Sequence, residues 1–299
     1  MANLGQQALA PSAVALDLGQ FSKMFAEPKP MSEGDIEEVI RRFATSAALA
    51  EKAGFTGVQV HAAHGYLISQ FLSPLTNRRT DRWGGSLENR ARLLLAVVSA
   101  VRQVVSAQFC VSVKLNSADF QRGGFEVDDA RQVIQWLNEQ QIDLLELSGG
   151  SYEAPAMQGE ARDGRTLARE AYFLEMASDL ASVARMPVMV TGGIRRLAIV
   201  EQVLDSGIAM AGIGTALSLE PHLVKHWREG QNSHPQTSPI RWKRKPLAAL
   251  ATSAVVKFQL HRLSRGRTTR PQVSAIWALI LDRLFISRRT RQYRQAMGK

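Results

Sequence analysis

A parallel α/β fold is what this 299-residue sequence predicts. Three observations point to it. Short apolar segments of strand length alternate with amphipathic segments of helical length, the strands read as apolar on both faces, and polar or glycine-rich residues collect where the strands end. Five such strands are legible. Five parallel strands fit either an open doubly wound sheet or the later part of an eight-stranded barrel, and periodicity alone does not choose between them.

The elements follow in order. Residues 1–31, interrupted by Pro11, Pro28 and Pro30, read as a surface loop. Ser32 is placed to cap a helix with Asp35 three residues on; Ile36, Val39, Ile40, Phe43, Ala47 and Ala50 keep helical spacing, and Gly54 closes it. A strand at 57–60 follows. Ser86 opens a helix to about 105, with Leu93, Leu94, Val97, Val98 and Val101 on its inner face. Then come a strand at 109–115, a helix at 127–140, a strand at 144–147, a helix at 167–184, a strand at 188–191, a helix at 194–206, a strand at 209–213 and a helix at 216–228. A polar linker at 231–240 precedes two apolar stretches of helical length, 247–263 and 273–285, set among arginines.

Composition narrows the class. A 45% hydrophobic and 21% charged chain of this length buries a sizeable core, which excludes disorder over most of it. The single cysteine, Cys110, excludes an intramolecular disulfide and a cysteine-based metal site, so a reducing, cytoplasmic setting is expected. The N-terminal residues lack the cationic start and apolar run of a signal peptide, and no uninterrupted apolar stretch is long enough to span a bilayer. Charge is uneven: residues 241–299 hold fifteen Lys or Arg and one acid, Asp282, for a net +14, which leaves −4 on the first 240 residues of a +10 total.

Chemistry concentrates in residues 55–90, where the strand runs into His61, His64 and Tyr66 and then into a loop rich in Asn, Arg, Asp and Gly. A core strand has no structural need for two imidazoles and a phenol at its exit, whereas catalysis uses rings held at a strand mouth. The run HAAHGYL followed by QFLSPLTNRRTDRWGGSLENRAR resembles the Old Yellow Enzyme family of flavin-dependent oxidoreductases, over roughly residues 5–230. The resemblance implies a partial (β/α)8 TIM barrel, about strands four to eight, with the opening strands absent and a basic C-terminal helical extension. It divides the chain into an incomplete flavin-binding barrel (1–230), a linker (231–240) and the extension (241–299).

The resemblance also implies roles. His61 and His64 match positions that hydrogen-bond the carbonyl oxygen of an activated alkene, and Tyr66 matches the proton donor. Lys114 matches a cation beside FMN, and the turns Gly192–Gly193 and Gly214–Thr215 match its phosphate seat. Thr215 departs from the family's usual arginine, with Arg195 or Arg196 as a candidate replacement. The implied activity passes hydride from NADH or NADPH through FMN to a small enone or enal. A second reading is a truncated relative with little activity that self-associates or needs a partner.

Other residues read more blandly. His222 and His226 have metal-compatible spacing, yet HLVKH holds no acid and offers no third ligand, so a solvated helix face is expected. Cys110 reads as a core residue. Tyr152, in the loop at 148–155, either lines the substrate pocket or packs on its loop. The basic tail admits contact with nucleic acid or an anionic membrane, but lacks aromatic interleaving and any nucleic-acid motif, so it reads first as a packing and surface element.

Overall fold

The structure, a computed structural model, describes residues 8–17, 22, 25–150, 174–236, 240–242 and 244–298. The leading segment is not loop alone: β1 (Leu9–Ala10) pairs in parallel with β2 (Lys29–Pro30). Helix α1 (Glu33–Lys52) starts as its sequence demands, with Ser32 and Asp35 forming a reciprocal capping box. It ends in a Schellman arrangement, in which Gly54, at φ +86°, donates to Glu51 and Phe55 donates to Ala50.

Strand β3 (Gly57–Ala62) carries His61 inside the ladder, and a short helix, α2 (Leu67–Leu72), follows where the sequence suggested loop. Next come α3 (Leu87–Val104), β4 (Cys110–Asn116), α4 (Val127–Leu137), β5 (Leu144–Ser148), α5 (Leu174–Ala181), β6 (Val188–Thr191), α6 (Leu197–Asp205) and β7 (Met210–Gly212). Residues 167–173 of the helix expected before β6, and Tyr152, lie outside the described residues.

The sheet order is β3-β4-β5-β6-β7, all parallel. Each crossover adds the next strand on the same side. That is the winding of a barrel, whereas a doubly wound sheet reverses direction at a switch point. The fold is therefore an α/β sheet flanked by helices, consistent with five strands of a (β/α)8 barrel.

The two faces of this sheet differ, which corrects the expectation of strands apolar on both sides. Val60, Val111, Val113, Leu115, Leu145, Leu147 and Val190 are almost fully buried. At roughly 1.5–3 kcal/mol for each large apolar side chain withdrawn from water, this face dominates the stability of the unit. The alternate positions carry Gln59, His61, Ser112, Lys114, Asn116, Glu146, Ser148 and Thr191. Register aligns His61 with Lys114 and Lys114 with Glu146 in one row across three strands.

The chain packs as two compact units: residues 1–192 with 201–212, and residues 193–200 with 213–299. The first holds the sheet. In the second, the helix expected at 216–228 is broken into α7 (Thr215–Leu219) and α8 (Leu223–Arg228), because Pro221 disfavours helical geometry at Glu220. Ala216, Leu223 and Trp227 form its small core with Leu197 and Val200. Helix α9 (Lys245–Leu263) opens with a proline in its first turn, and α10 (Ala275–Ala296) runs past the apolar stretch into its arginines until Gly298, at φ +66°, ends it. The pairs Ala254–Ala278, Lys257–Asp282 and His261–Phe285 advance together, so the two helices run in the same direction. The buried Gln259 amide both donates to and accepts from the backbone of Arg270, pinning the returning connection. Among the described residues no helix is long and apolar enough to cross a membrane.

Gly57 faces the start of β4 so closely that an added Cβ would lie 2.6 Å from both the Cβ and the carbonyl oxygen of Cys110. Cys110 itself is half-buried, not a core residue, since it is the first residue of β4, at the end of the sheet. Gly57→Ala is expected to cost about 1–3 kcal/mol by forcing β3 and β4 apart, read as a lowered urea midpoint. Gly54→Ala, where an added Cβ meets only open space but φ is positive, is expected to cost about 1 kcal/mol.

Candidate functional site

The exits of β3 and β4 bring the sequence-chosen side chains together. The His61 ring lies 5.2 Å from that of His64 and 5.0 Å from that of Tyr66, centroid to centroid, both edge to face. His64 sits at φ +63°, a left-handed conformation rare for a side-chain-bearing residue, followed by Gly65 at φ +71°. The turn is held from outside itself: the His64 N–H donates to Asn116 Oδ1 at 3.1 Å, and Asn116 in turn donates to Asp119 Oδ1 and to the carbonyl of Gly150. A strained backbone paid for by a buried polar relay fixes where the imidazole stands.

The protonation states follow from surroundings. Burial, and then the neighbouring Lys114 ammonium, lower both imidazoles, His64 to about 4. Both are therefore neutral at pH 7, each with one N–H. The N–H of Ala63 donates to His61 Nδ1 at 3.2 Å, so the proton of His61 is on Nε2. His64 Nε2 shares a 2.7 Å hydrogen bond with Ser148 Oγ at the exit of β5. Tyr66 is half exposed at the N-cap of α2.

Lys114 stands in the same row, its ammonium 2.6 Å from Glu146 Oε1. Glu146, 5% exposed, also accepts from Thr191 Oγ1 at 2.6 Å and Gln59 Nε2 at 2.9 Å. Burial opposes its ionisation, and these three donors outweigh burial, so its carboxyl stays below the ordinary range. Sequence reasoning did not single out Glu146, Gln59, Asn116 or Ser148. The signal was present: in GVQVHA, CVSVKLN and LLELS the polar residues occupy every second position, out of phase with the buried aliphatics.

The long motif after the rings turns out to be structural. Asn77, 4% exposed, donates to the carbonyls of Phe71 and Trp83. Arg79 donates to those of Pro11 and Met31 while pairing with Asp81, and Arg90 donates to those of Leu72 and Gly85. A Cβ on Gly84 would meet the Arg79 carbonyl oxygen at 2.4 Å. The loop is a set of otherwise unpaired backbone carbonyls satisfied by side chains.

The glycine turns are distributed between the units. Gly192 follows β6 in the first, while Gly193, at φ +65°, and Gly214 with Thr215 belong to the second. Thr215 begins α7, and its carbonyl accepts from Ser218 Oγ. In the second unit His226 pairs with Glu220, whose other oxygen accepts from Ser233, and His222 is the N-cap of α8. The described residues hold no group of three or more potential metal ligands.

Residues 3–234 match the model of the NADH:flavin oxidoreductase / NADH oxidase family. The chain belongs to that family. It is 39% identical over 235 residues to the NADH-dependent flavin oxidoreductase iliE of Neonectria sp. (strain DH2), covering 73% of this chain and 30% of that one. It is 43% identical over 150 residues to the NADPH dehydrogenase of Halalkalibacterium halodurans, covering 50% and 42%. Among solved structures, 2-naphthoyl-CoA reductase in complex with 2-naphthoyl-CoA superposes with a TM-score of 0.66 at 28% identity, over 77% of this chain and 35% of that one. The Old Yellow Enzyme homologue from Zymomonas mobilis superposes at 0.65 and 25% identity, over 80% and 66%. This family member spans between 30% and 57% of the length of the first four curated relatives it matches.

A neutral, buried His64 makes stability depend on pH. Its folded value lies below the unfolded one, so the unfolded chain takes up the proton first and stability falls as pH drops from about 6.5 toward 4. Roughly 1–2 kcal/mol of the acid loss belongs to this residue after allowing for solvent screening, and His64→Gln is expected to remove that share in urea titrations at pH 7, 5 and 4. Glu146→Leu alone is expected to cost about 3 kcal/mol by stranding Lys114, and the double variant with Lys114→Met to recover most of it.

Proposed function

We propose that this chain is an FMN-dependent oxidoreductase of the Old Yellow Enzyme type that reduces an α,β-unsaturated carbonyl with NADH or NADPH. The observation that carries the reading is the cluster of His61, His64 and Tyr66 at the exit of β3, with Lys114 beside His61 in the same row of the sheet, in a chain of the flavin oxidoreductase family.

The donor set fits such a ligand. Two neutral imidazoles and an ammonium all offer N–H groups to an electron-rich, carbonyl-bearing ring system, and Glu146 is already engaged by three donors. In the first unit Lys114 would hold the ring, and Gly192 is one of the turns, with Gly193, Gly214 and Thr215 of the second unit, that the family resemblance implies for the phosphate. When bound, FMN supplies hydride chemistry that no side chain here possesses. His61 and His64 donate to the substrate carbonyl oxygen. As hydride reaches the β-carbon, negative charge grows on that oxygen, so fixed N–H donors stabilise the transition state more than the ground state. Their neutrality matters: each donates a hydrogen bond and keeps its proton. Tyr66, whose phenol is a weak acid, protonates the α-carbon.

The test is titration of the purified chain with FMN, followed by anaerobic reduction of 2-cyclohexenone with NADH and with NADPH. Tyr66→Phe is expected to lower kcat by about 10²-fold with FMN uptake intact. His61→Ala with His64→Ala is expected to weaken binding of phenols and enones. No flavin uptake by the wild-type chain would sink the proposal.

The edges of the sheet support a second reading. Among the described residues β3 and β7 each pair on one side only, which favours self-association or a partner that extends the sheet. A monomeric mass by light scattering, together with stoichiometric FMN uptake and a cooperative melt, would count against it.

A further inference from the structure

The second unit holds a cavity that the flavin chemistry does not use. It lies between α9 and α10 and measures about 430 Å3, within the range of small-molecule sites. Lys257, Arg262, Arg265, Arg267 and Arg288 line it, together with His261 and one carboxylate, Asp282. That carboxylate is 8% exposed as a residue and already engaged by Lys257 and by Arg283. Among the described residues no carboxylate pairs with Arg265, Arg267 or Arg288.

The remaining wall is apolar. Phe258, Leu281 and Leu284 contribute hydrocarbon, and the Phe285 ring lies 4.5 Å from that of His261. Arg262 stands over Phe258 at 5.9 Å. Leu284 is 63% exposed and continues along α10, at helical spacing, to Ile280 and Ile276, which are also exposed. The hydrocarbon wall therefore runs out of the cavity as a stripe. Three arginines with no carboxylate partner among the described residues, lining a recess that also has an apolar wall and an apolar exit, are complementary to one kind of molecule.

We infer that the α9–α10 cavity binds an anionic amphiphile, with a phosphate or carboxylate head among Arg265, Arg267 and Arg288 and a hydrocarbon body against Phe258, Phe285 and Leu284. Two arginine forks on one oxyanion give charge-assisted, bidentate hydrogen bonds, and an aliphatic body covers side chains that water otherwise meets. The same head chemistry reaches the site from a free amphiphile or from a lipid in a bilayer.

Calorimetric titration of the full chain with dodecyl phosphate, below its micelle concentration, reads the site directly. Saturable binding near one equivalent is expected, with dodecyl maltoside giving none. Arg265→Gln with Arg288→Gln is expected to weaken it about tenfold or more. Arg291→Gln with Arg294→Gln removes equal charge from α10 outside the cavity and is expected to change it less than about twofold. Circular dichroism and the melting temperature check that both double variants fold. Co-sedimentation with phosphatidylglycerol against phosphatidylcholine vesicles identifies the source: selective, Arg265- and Arg288-dependent pelleting assigns a bilayer lipid, and binding of the monomeric phosphate alone assigns a free ligand. No saturable binding, equal loss in both double variants, or equal binding of the maltoside would overturn the inference.

Discussion

A carboxylate buried in the middle of a parallel sheet needs partners, and the architecture of the first unit is organised around supplying them to Glu146. Its donors come from three other strands: Gln59 on β3, Lys114 on β4 and Thr191 on β6. An unpaired charge at that depth costs several kcal/mol, so register errors among these strands are penalised by electrostatics as well as by lost aliphatic burial. The network fixes Lys114 one strand across from His61 in the same row, and that pairing gives the site its polarity. It also sets the imidazoles, because the same ammonium and the same burial keep them neutral.

Positioning and chemistry are separated along the sequence. The ring-bearing residues are few and adjacent, while the side chains of the long run from Asn77 to Arg90 serve the backbone. Asn77, Arg79 and Arg90 reach carbonyls that no ladder pairs, and Gly84 leaves room for the chain to pass. A loop built this way is rigid without regular secondary structure. Its stiffness holds the start of α2, where Tyr66 sits, against the exit of β3. The strain at His64 is carried similarly, by the Asn116–Asp119 relay at the exit of the neighbouring strand.

The second unit obeys other rules. Its helices meet through small residues, Ala254 against Ala278, and through Gln259, whose amide takes the place of a backbone partner for Arg270. Several of its arginines line the cavity between the helices, and most of the large apolar side chains of α10 are exposed. Such a surface has the composition of a binding face, cationic and apolar together, where a solvated helix pair would show mainly polar residues.

The order and approximate bounds of the five strands of the main sheet, and the starts of the main helices α1 and α3, were legible in the sequence, because hydrophobic periodicity and caps are local: Ser32, Gly54 and Ser86 act through neighbours a few residues away. The family was legible too, since its motif is contiguous. The alternation of polar residues along the strands was in the sequence, but it did not show that Glu146 is the hub of that face, or that the helix expected at 216–228 yields at Pro221. Nor did it show that α10 runs beside α9 in the same direction. These depend on which strand lies next to which and in what register, and hydrogen bonds between residues as distant as Gln59 and Glu146 leave no mark within any one segment. Local propensity wrote the elements, and long-range pairing decided which of their side chains face each other.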